Sequence, residues 1–452
     1  MFTRKELVKL ILPMIAQQLL AIFVGTADSM MVARAGEAAV SGVSLVGELD
    51  ALLVIVFSSM VTGGAVSVSH ALGRGDKKYG CECAKQLLWF STVLALAIAV
   101  GVALFRSSLL DLLYGSADDS VLQSANAYFA IMAWTFPLVA INNSGFAIFR
   151  TMGDTVIGLR LSLMENVINI CFNAVFIFGC NMGAAGAALA SMIARSVTTV
   201  FILIKLCRPV NDIHIEKILR YRPDPVILKN IMGVGVPHGI ENSMFQFGRL
   251  ATQMLISTMG TVGIAANTVA NTLANFLYLP SSSIANAQIT VVGRCYGAGE
   301  YVQAKKYARL LLFTEYLCMW GVSVLLCIFA GPLIGIYNLS DAGAALAVKL
   351  TLFHCVCTSL VRPLAFNLPS VFKSAGDSKF SMIVSTVSMW VVRVGLAYLL
   401  APDSITLFGA EIPCMGMGIF GVWVAMMADW VVRAALFLTR FIRGTWLTVK
   451  NR

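Results

Sequence analysis

The sequence predicts an all-α polytopic membrane protein with twelve transmembrane helices in two pseudo-symmetric six-helix bundles. Three observations carry this reading. Of the 452 residues, 58% are hydrophobic and only 12% charged, and mean hydropathy is +0.82. Soluble domains carry about 25% charged and about 45–50% apolar residues, so this chain cannot cover a water-facing surface, and a soluble enzyme is excluded. Apolar runs of about 20 residues recur along its whole length, each long enough to cross about 30 Å of hydrocarbon as a helix. The alternation over about ten residues expected of a β-barrel strand is missing. The third observation is an internal repeat of the chain's second half on its first.

Charged or Gly/Pro breaks separate the runs, which fall at roughly 8–33, 41–70, 84–106, 125–149, 157–180 and 183–206 in the first half. The second half gives 227–259, 264–293, 305–331, 345–372, 380–400 and 416–441. The first run follows MFTRKELVKL with no small-residue cleavage site after a short apolar core, so it is expected to stay in the mature chain. It contains Pro13 and Asp28. The second has Glu48 and Asp50 near its outer end, and the basic stretch from Arg74 to Lys85 separates it from the third. The fourth holds Pro137, Asn142 and Asn143 and ends at Arg150. The fifth holds Glu165, Asn169 and Asn173, and the sixth holds Ser191. The polar, Pro-containing stretch Cys207–Asp224 separates the sixth from the seventh, which carries Pro237 and Glu241. The twelfth carries Asp429 and Arg433, four residues apart and expected to pair. Arg249 is expected to pair with a carboxylate, Glu241 of its own helix or Glu315 of another.

An even number of spans places both termini on one side. Of the 33 Lys and Arg residues, 25 fall on that side, three (Arg34, Arg106 and Lys349) on the other, and five within spans. The positive-inside bias assigns the termini to the cytoplasm and accounts for the formal net charge of +10 without a nucleic-acid partner. The eleven cysteines match no zinc spacing and read as small apolar packers. His70, His214, His238 and His354 are scattered and signal no metal or haem site.

The repeat appears in three blocks. At an offset of 224, Pro13 falls on Pro237, Gly36 on Gly260, Gly73 on Gly297, Gly75 on Gly299 and Asp76 on Glu300. At 223, Phe149-Arg-Thr-Met-Gly153-Asp154 falls on Phe372-Lys-Ser-Ala-Gly376-Asp377; at 235, Met182-Gly183 and Gly186 fall on Met417-Gly418 and Gly421. The jump in offset places an insertion of about twelve residues at 401–413, where irregular backbone can be solvated. The expected domains are a lobe over 1–206, a cytoplasmic linker over 207–226 and a second lobe over 227–452. Parallel repeats of this kind suit a transporter working by alternating access.

The repeated blocks carry a family resemblance. Gly36-Glu-Ala-Ala-Val, Gly73-Arg-Gly75-Asp, Arg150-Thr-Met-Gly153-Asp154, Gly-Val-Pro237 and Tyr296-Gly297-Ala-Gly299-Glu, in this order, resemble the multidrug and toxic compound extrusion (MATE) transporters over residues 8–441. The resemblance implies a V-shaped pair of six-helix bundles that exports organic, often cationic, compounds in exchange for Na⁺ or H⁺.

An ionisable group at the bilayer centre costs about 2.5–3.5 kcal/mol on insertion scales, so Asp28 needs a purpose or a headgroup to reach. Burial favours the protonated carboxyl and a bound cation the ionised one, which would let such a group couple ion entry to helix movement. The resemblance is closer to the DinF-like branch, where a proline lies fifteen residues before the first-helix aspartate, as Pro13 does here. Pro13 can act as a hinge or serve structure alone. Asn169 and Asn173, with Glu165, share one helix face at i, i+4 spacing. In DinF-like relatives the matching segment is Asn-x-x-x-Asp joined to the first-helix aspartate, so Asn173 replaces a carboxylate. Ser191 stands where that branch has Thr. Asp28, Asn169, Asn173 and Ser191 offer oxygen ligands suited to Na⁺, with Glu165 either restoring the missing charge or pairing with an Arg. Na⁺ and proton coupling both stay open. The repeat maps these positions to Thr252, Val392, Leu396 and Met426, so the polar cluster exists only in the first half.

Gln17, Asn142, Asn143 and Glu241 are candidates for the substrate cavity, with helix–helix hydrogen bonds as the alternative. The expected function is an inner-membrane antiporter exporting organic, cationic compounds, working as a monomer in the lipid bilayer, with no cofactor beyond Na⁺ or H⁺. A lipid-linked precursor flippase of the same superfamily is the alternative suggested by Arg195, Arg249, Arg362 and Arg393. A membrane enzyme or receptor lacks any zinc, GxSxG or paired-aspartate signature.

Overall fold

A computed structural model describes residues 2–115, 117–218, 220–407 and 410–448. Lys450 and Arg452 of the basic asymmetry, and Leu219 of the expected linker, lie outside these. The first half forms α1 (Arg4–Ala33), α2 (Glu37–Arg74), α3 (Lys77–Tyr114), α4 (Asp119–Met152), α5 (Thr155–Gly179) and α6 (Gly183–Leu206). The second half forms α7 (Pro225–Ser257), α8 (Thr261–Gly297), α9 (Tyr301–Gly335), α10 (Asp341–Ser374), α11 (Ser378–Leu400) and α12 (Gly418–Arg443). Every apolar run has its helix. Several helices overrun their runs because capped, charged first turns are helical too. At α3, for example, the Tyr79 amide donates to Asp76 Oδ1 at 2.9 Å, so the helix starts at Lys77, seven residues before the apolar run.

Ten of the twelve are apolar enough to cross a membrane by length and composition; α7 and α8 fall short. The shortfall of α8 is chemical, since Asn, Ser and Thr are spread along it. Thr268, Asn271, Thr272 and Asn275 are exposed at i, i+3, i+4 and i+7. A polar stripe of this kind lowers the affinity of the helix for lipid.

The repeat is written into the backbone. Gly75 and its counterpart Gly299 both have φ of +76°, and Gly153 and Gly376 have +93° and +85°. A side chain is strained in this left-handed region, which is why glycine closes these helices. At Gly153 the amide bonds to the Phe149 and Arg150 carbonyls, and Asp154 next to it accepts from the Ile157 amide at 3.4 Å to open α5. Two residues thus stop one helix and start another.

The chain divides into two compact units, Met1–Gly239 with Gly297–Gly299, and Ile240–Tyr296 with Glu300–Arg452. The division falls inside α7 and not in the stretch 207–226, because that stretch is docked on the first unit. Gln86 Nε2 donates to the Arg222 carbonyl at 2.6 Å, and Trp89 Nε1 to that of Ile218 at 2.8 Å. Lys77 pairs with Asp212 at 2.7 Å, Trp89 stacks on Tyr221, and Ile213 and Ile215 are buried. The first unit packs Val46, Phe57, Ala95, Ala99, Phe129 and Phe136 of α2, α3 and α4 into one core. The second centres on Trp423, Met426 and Trp430 of α12, with Leu350 of α10 and Ala270 of α8.

The insertion at 401–413 is more ordered than the expected irregular loop. Its backbone pairs with itself as an antiparallel hairpin, β1 (Ser404–Leu407) with β2 (Ala410–Pro413), Ser404 facing Pro413. Apart from the stretch 207–224 and the short turns between helices, the other described residues are helical.

Candidate ion-coupling site

In the first unit, α1, α5 and α6 bring four oxygen-bearing side chains together. Asn173 Nδ2 donates to Asp28 Oδ1 at 2.8 Å. The Asn169 amide satisfies both its ends when its oxygen accepts from Ser191 Oγ at 3.0 Å and its nitrogen donates to Asp28 Oδ1 at 2.7 Å and Oδ2 at 3.2 Å. Asn169 and Asn173 are buried, at 6% and 1% exposure, and Asn173 Oδ1 has no hydrogen-bond partner. A buried carbonyl oxygen without a donor is costly unless something electropositive meets it. In this arrangement two amide nitrogens face the Asp28 carboxylate, Ser191 Oγ is held by Asn169, and Asn173 Oδ1 is the one enclosed oxygen of the four side chains left without a donor. Among the described residues no three His, Cys, Asp or Glu side chains form a metal cluster. Immediately after Asn173, residues 174–179 turn with i→i+5 bonds, Cys180 N donating to Val175 O at 3.0 Å. Such wide turns recur at functional positions in helices.

Sequence reasoning missed two parts of this region: the place of Arg195, which it named only for the flippase alternative, and Thr155. Arg195 lies one helical turn beyond Ser191 on α6, and its charge is felt at Asp28, Asp50 and Glu165. Its Nη1 donates to Thr135 Oγ1 at 2.6 Å. The guanidinium acts on these carboxylates at a distance, with no ion pair to any of them among the described residues. Asp50, near the outer end of α2, is half-buried with Oδ1 enclosed. Glu165 sits with Arg195 and makes no bond to Asp28. The i, i+4 step from Ser191 to Arg195 was the available signal.

The second missed residue is Thr155. Pro13 has no N–H to give to the Lys9 carbonyl four residues earlier. Thr155 Oγ1 of α5 donates to that carbonyl at 3.1 Å and to Leu10 O at 2.9 Å. The helix runs unbroken through Pro13 because a neighbouring hydroxyl replaces the missing donor. One turn further on, Gln17 Nε2 donates to Ser162 Oγ at 2.7 Å, which again ties α1 to α5. Asn142 is buried between α4 and α6, accepting from Thr199 Oγ1 at 2.9 Å and donating to the Arg195 carbonyl at 3.4 Å. Both residues therefore make helix–helix bonds. Asn143 is half-buried on α4.

The MatE family profile matches residues 13–175 and again 237–399, a displacement of 224 residues at both ends. The chain belongs to the MatE family. It is 24% identical over 445 residues to the uncharacterized transporter YisQ of Bacillus subtilis, covering 96% of this chain and 93% of that one. It is 25% identical over 452 residues to the probable multidrug resistance protein NorM of Thermotoga maritima, covering 98% and 93%. Among solved structures, an outward-facing multidrug resistance MATE family transporter of the MOP superfamily superimposes with a TM-score of 0.88 at 21% identity, covering 98% of this chain and 96% of that one. A MOP superfamily transporter from Pyrococcus furiosus, described as having a binding pocket of reverse polarity, superimposes with 0.87 at 21% identity, covering 99% and 97%. MatE proteins are multi-pass membrane transporters and not enzymes.

The second MatE repeat has a different set of charges. Glu241 on α7 pairs with Lys373 at 2.8 Å and accepts from Ser385 Oγ at 3.0 Å. Both charges are buried, at 11% and 6% side-chain exposure, so Glu241 is held in an ion pair within α7, α10 and α11. Asp429 and Arg433 pair at 2.8 Å, as their spacing predicts, and Ser388 donates to Asp429 as well. Glu315 on α9, fully buried, accepts from Ser281 Oγ at 2.8 Å. Arg249 is exposed on α7. Thr252, the counterpart of Asp28, turns its hydroxyl to the Arg249 carbonyl.

Proposed function

We propose that the chain is a secondary antiporter that exports amphipathic organic compounds in exchange for inward Na⁺ or H⁺, with coupling at Asp28. One observation carries this. The second repeat has the backbone punctuation of the first but none of its Asp28, Asn169, Asn173 and Ser191 cluster. Packing needs shared by both repeats do not account for a polar set in one alone. The multidrug resistance names of relatives such as the Thermotoga maritima protein support an organic substrate. The lysine and arginine distribution supports cytoplasmic termini in a bacterial-type inner membrane.

Coupling requires that ion and substrate stabilise different conformations. Cation or proton entry at Asp28 changes the charge that Arg195 must balance, and α1 bears both Asp28 and Pro13. Movement of α1 is therefore the step through which ion occupancy would reach the rest of the first unit. A second reading, flipping of a lipid-linked precursor, draws support from the guanidiniums of the second unit. Arg195 adds less to that support, since its charge lies near the acids of the first unit and it donates to Thr135. The test is efflux of a panel of cationic dyes from proteoliposomes under imposed Na⁺ or pH gradients. Asp28→Asn is expected to reduce gradient-driven efflux to background, and unchanged efflux would remove Asp28 from the mechanism.

A further inference from the structure

We infer that the second unit holds a site for the acidic group of an amphipathic anion or zwitterion, formed by Arg362 and Arg393 on an aromatic floor with Arg249 at its exposed margin. The inference deepens the transport reading by naming a substrate class, and it rests on that reading for the step from binding to transport.

The argument begins with the charge balance inside this unit. Four arginines lie in the spans, and Arg433 is matched by Asp429 at 2.8 Å. Arg362 and Arg393 make no ion pair with a carboxylate among the described residues, and the Nε of each is enclosed without a hydrogen-bond partner. Arg393 is 7% exposed. Both are deep in their helices, roughly 18 and 22 Å from the ends that adjoin at Ser374 and Ser378, taking 1.5 Å per residue. Glu315 acts on Arg362 and Asp429 on Arg393 only at a distance, and guanidiniums without a direct ion pair at that depth are uncommon and mark ligand paths.

What holds them is aromatic. Arg362 lies 3.8 Å from the centroid of the Tyr278 ring and 4.6 Å from that of Phe366. Arg393 and Arg433 each lie 5.6 Å from the centroid of Phe245, and Phe245 meets Phe366 edge-on at 5.8 Å. Stacking occupies the face of a guanidinium and leaves its in-plane N–H edge free. That edge is the fork that receives a carboxylate or phosphate in bidentate fashion. Tyr278 is fixed in turn, its hydroxyl 2.9 Å from His354 Nε2. The charges of Arg249, Arg362 and Arg393 all reach Tyr278, so the exposed arginine of α7 and the two deeper ones share one neighbourhood. An acid on an apolar or aromatic body satisfies both halves of such a site. The first unit has the opposite balance, with Asp28, Asp50 and Glu165 against Arg195.

The test measures binding without transport, using the full chain in phosphatidylcholine nanodiscs with no ion gradient. Equilibrium dialysis compares 2-naphthyl phosphate with neutral 2-naphthol and cationic 2-naphthyltrimethylammonium. The phosphate is expected to bind at least tenfold more tightly than either. Arg362→Gln and Arg393→Gln are each expected to remove most of that preference, with Arg362→Lys keeping part of it. Arg249→Gln, at an exposed position that does not threaten folding, is expected to weaken phosphate binding severalfold. Phosphatidic acid added to the nanodiscs assigns the source: displacement of the probe assigns a lipid headgroup, and retention assigns a free anion. Equal affinity for the three probes, or a phosphate preference untouched by Arg249→Gln and Arg362→Gln together, would overturn the inference. Loss of coupled export in Asp28→Asn leaves this binding unchanged, so failure of either reading is visible separately.

Discussion

Asp28 is held by two amide nitrogens, and one of them belongs to Asn173, whose own oxygen has no donor. Removing the Asn173 amide deletes a hydrogen bond to a charged group, which contributes about 1.5–3 kcal/mol. In the Na⁺-coupled form of the proposal, Asn173→Ala is therefore expected to weaken Na⁺ binding about 10- to 100-fold, measured by isothermal titration in nanodiscs. A change below about twofold would mean that Asn173 only packs. Asp429 poses the opposite case, a buried acid matched by one arginine. Breaking such a pair from one side costs about 3–5 kcal/mol, so Asp429→Asn is expected to lower the thermal midpoint sharply. Replacing both partners with apolar residues should recover much of the loss. Residues joined by spacing along one helix were legible in the sequence: Asn169 with Asn173, and Asp429 with Arg433. Residues joined across helices were not. Arg195 reaches Asp28 and Asp50, and Lys373 reaches Glu241, through packing that composition and periodicity do not encode.

At the scale of the helix, apolar run length located all twelve segments, and the glycine and aspartate pairs located the turns between them. The run lengths understated the helices because a capped first turn of lysines is helical without being apolar. Pro13 was visible as a possible hinge; the hydroxyl that serves it was not, since Thr155 is 142 positions away in the sequence. The contact makes a non-additive prediction. Thr155→Val leaves the Lys9 carbonyl without its donor and is expected to cost about 1–3 kcal/mol. Pro13→Ala supplies an amide for the same carbonyl, so Thr155→Val should cost much less in that background. A double-mutant cycle by thermal unfolding measures the coupling, and additivity would mean that Thr155 does not substitute for the missing donor. The stretch 207–226 likewise looked like a tether by composition, whereas Trp89 and Gln86 anchor it to α3. Tryptic cleavage at Lys217, Arg220 and Arg222 is expected to be slow in the folded protein and to accelerate in Trp89→Ala.

Across the whole molecule, the duplication was the most informative feature of the sequence, and the family profile found it at the same displacement. The two halves have kept their left-handed glycines and diverged in their charges, so fold and chemistry have separated within a single chain. The orientation proposed from the basic residues is open to direct measurement. Cys180, after α5, and Cys207, after α6, are both exposed. In single-cysteine variants of intact cells, a membrane-impermeant maleimide is expected to label Cys180 and to reach Cys207 only after permeabilisation; the reverse pattern would invert the topology. The polar stripe of α8 also bears on how the chain is made. Neither α7 nor α8 is apolar enough by composition to partition into lipid alone, yet only three residues separate Ser257 from Thr261. Insertion of the pair as one hairpin, after synthesis of its second member, is the expected consequence.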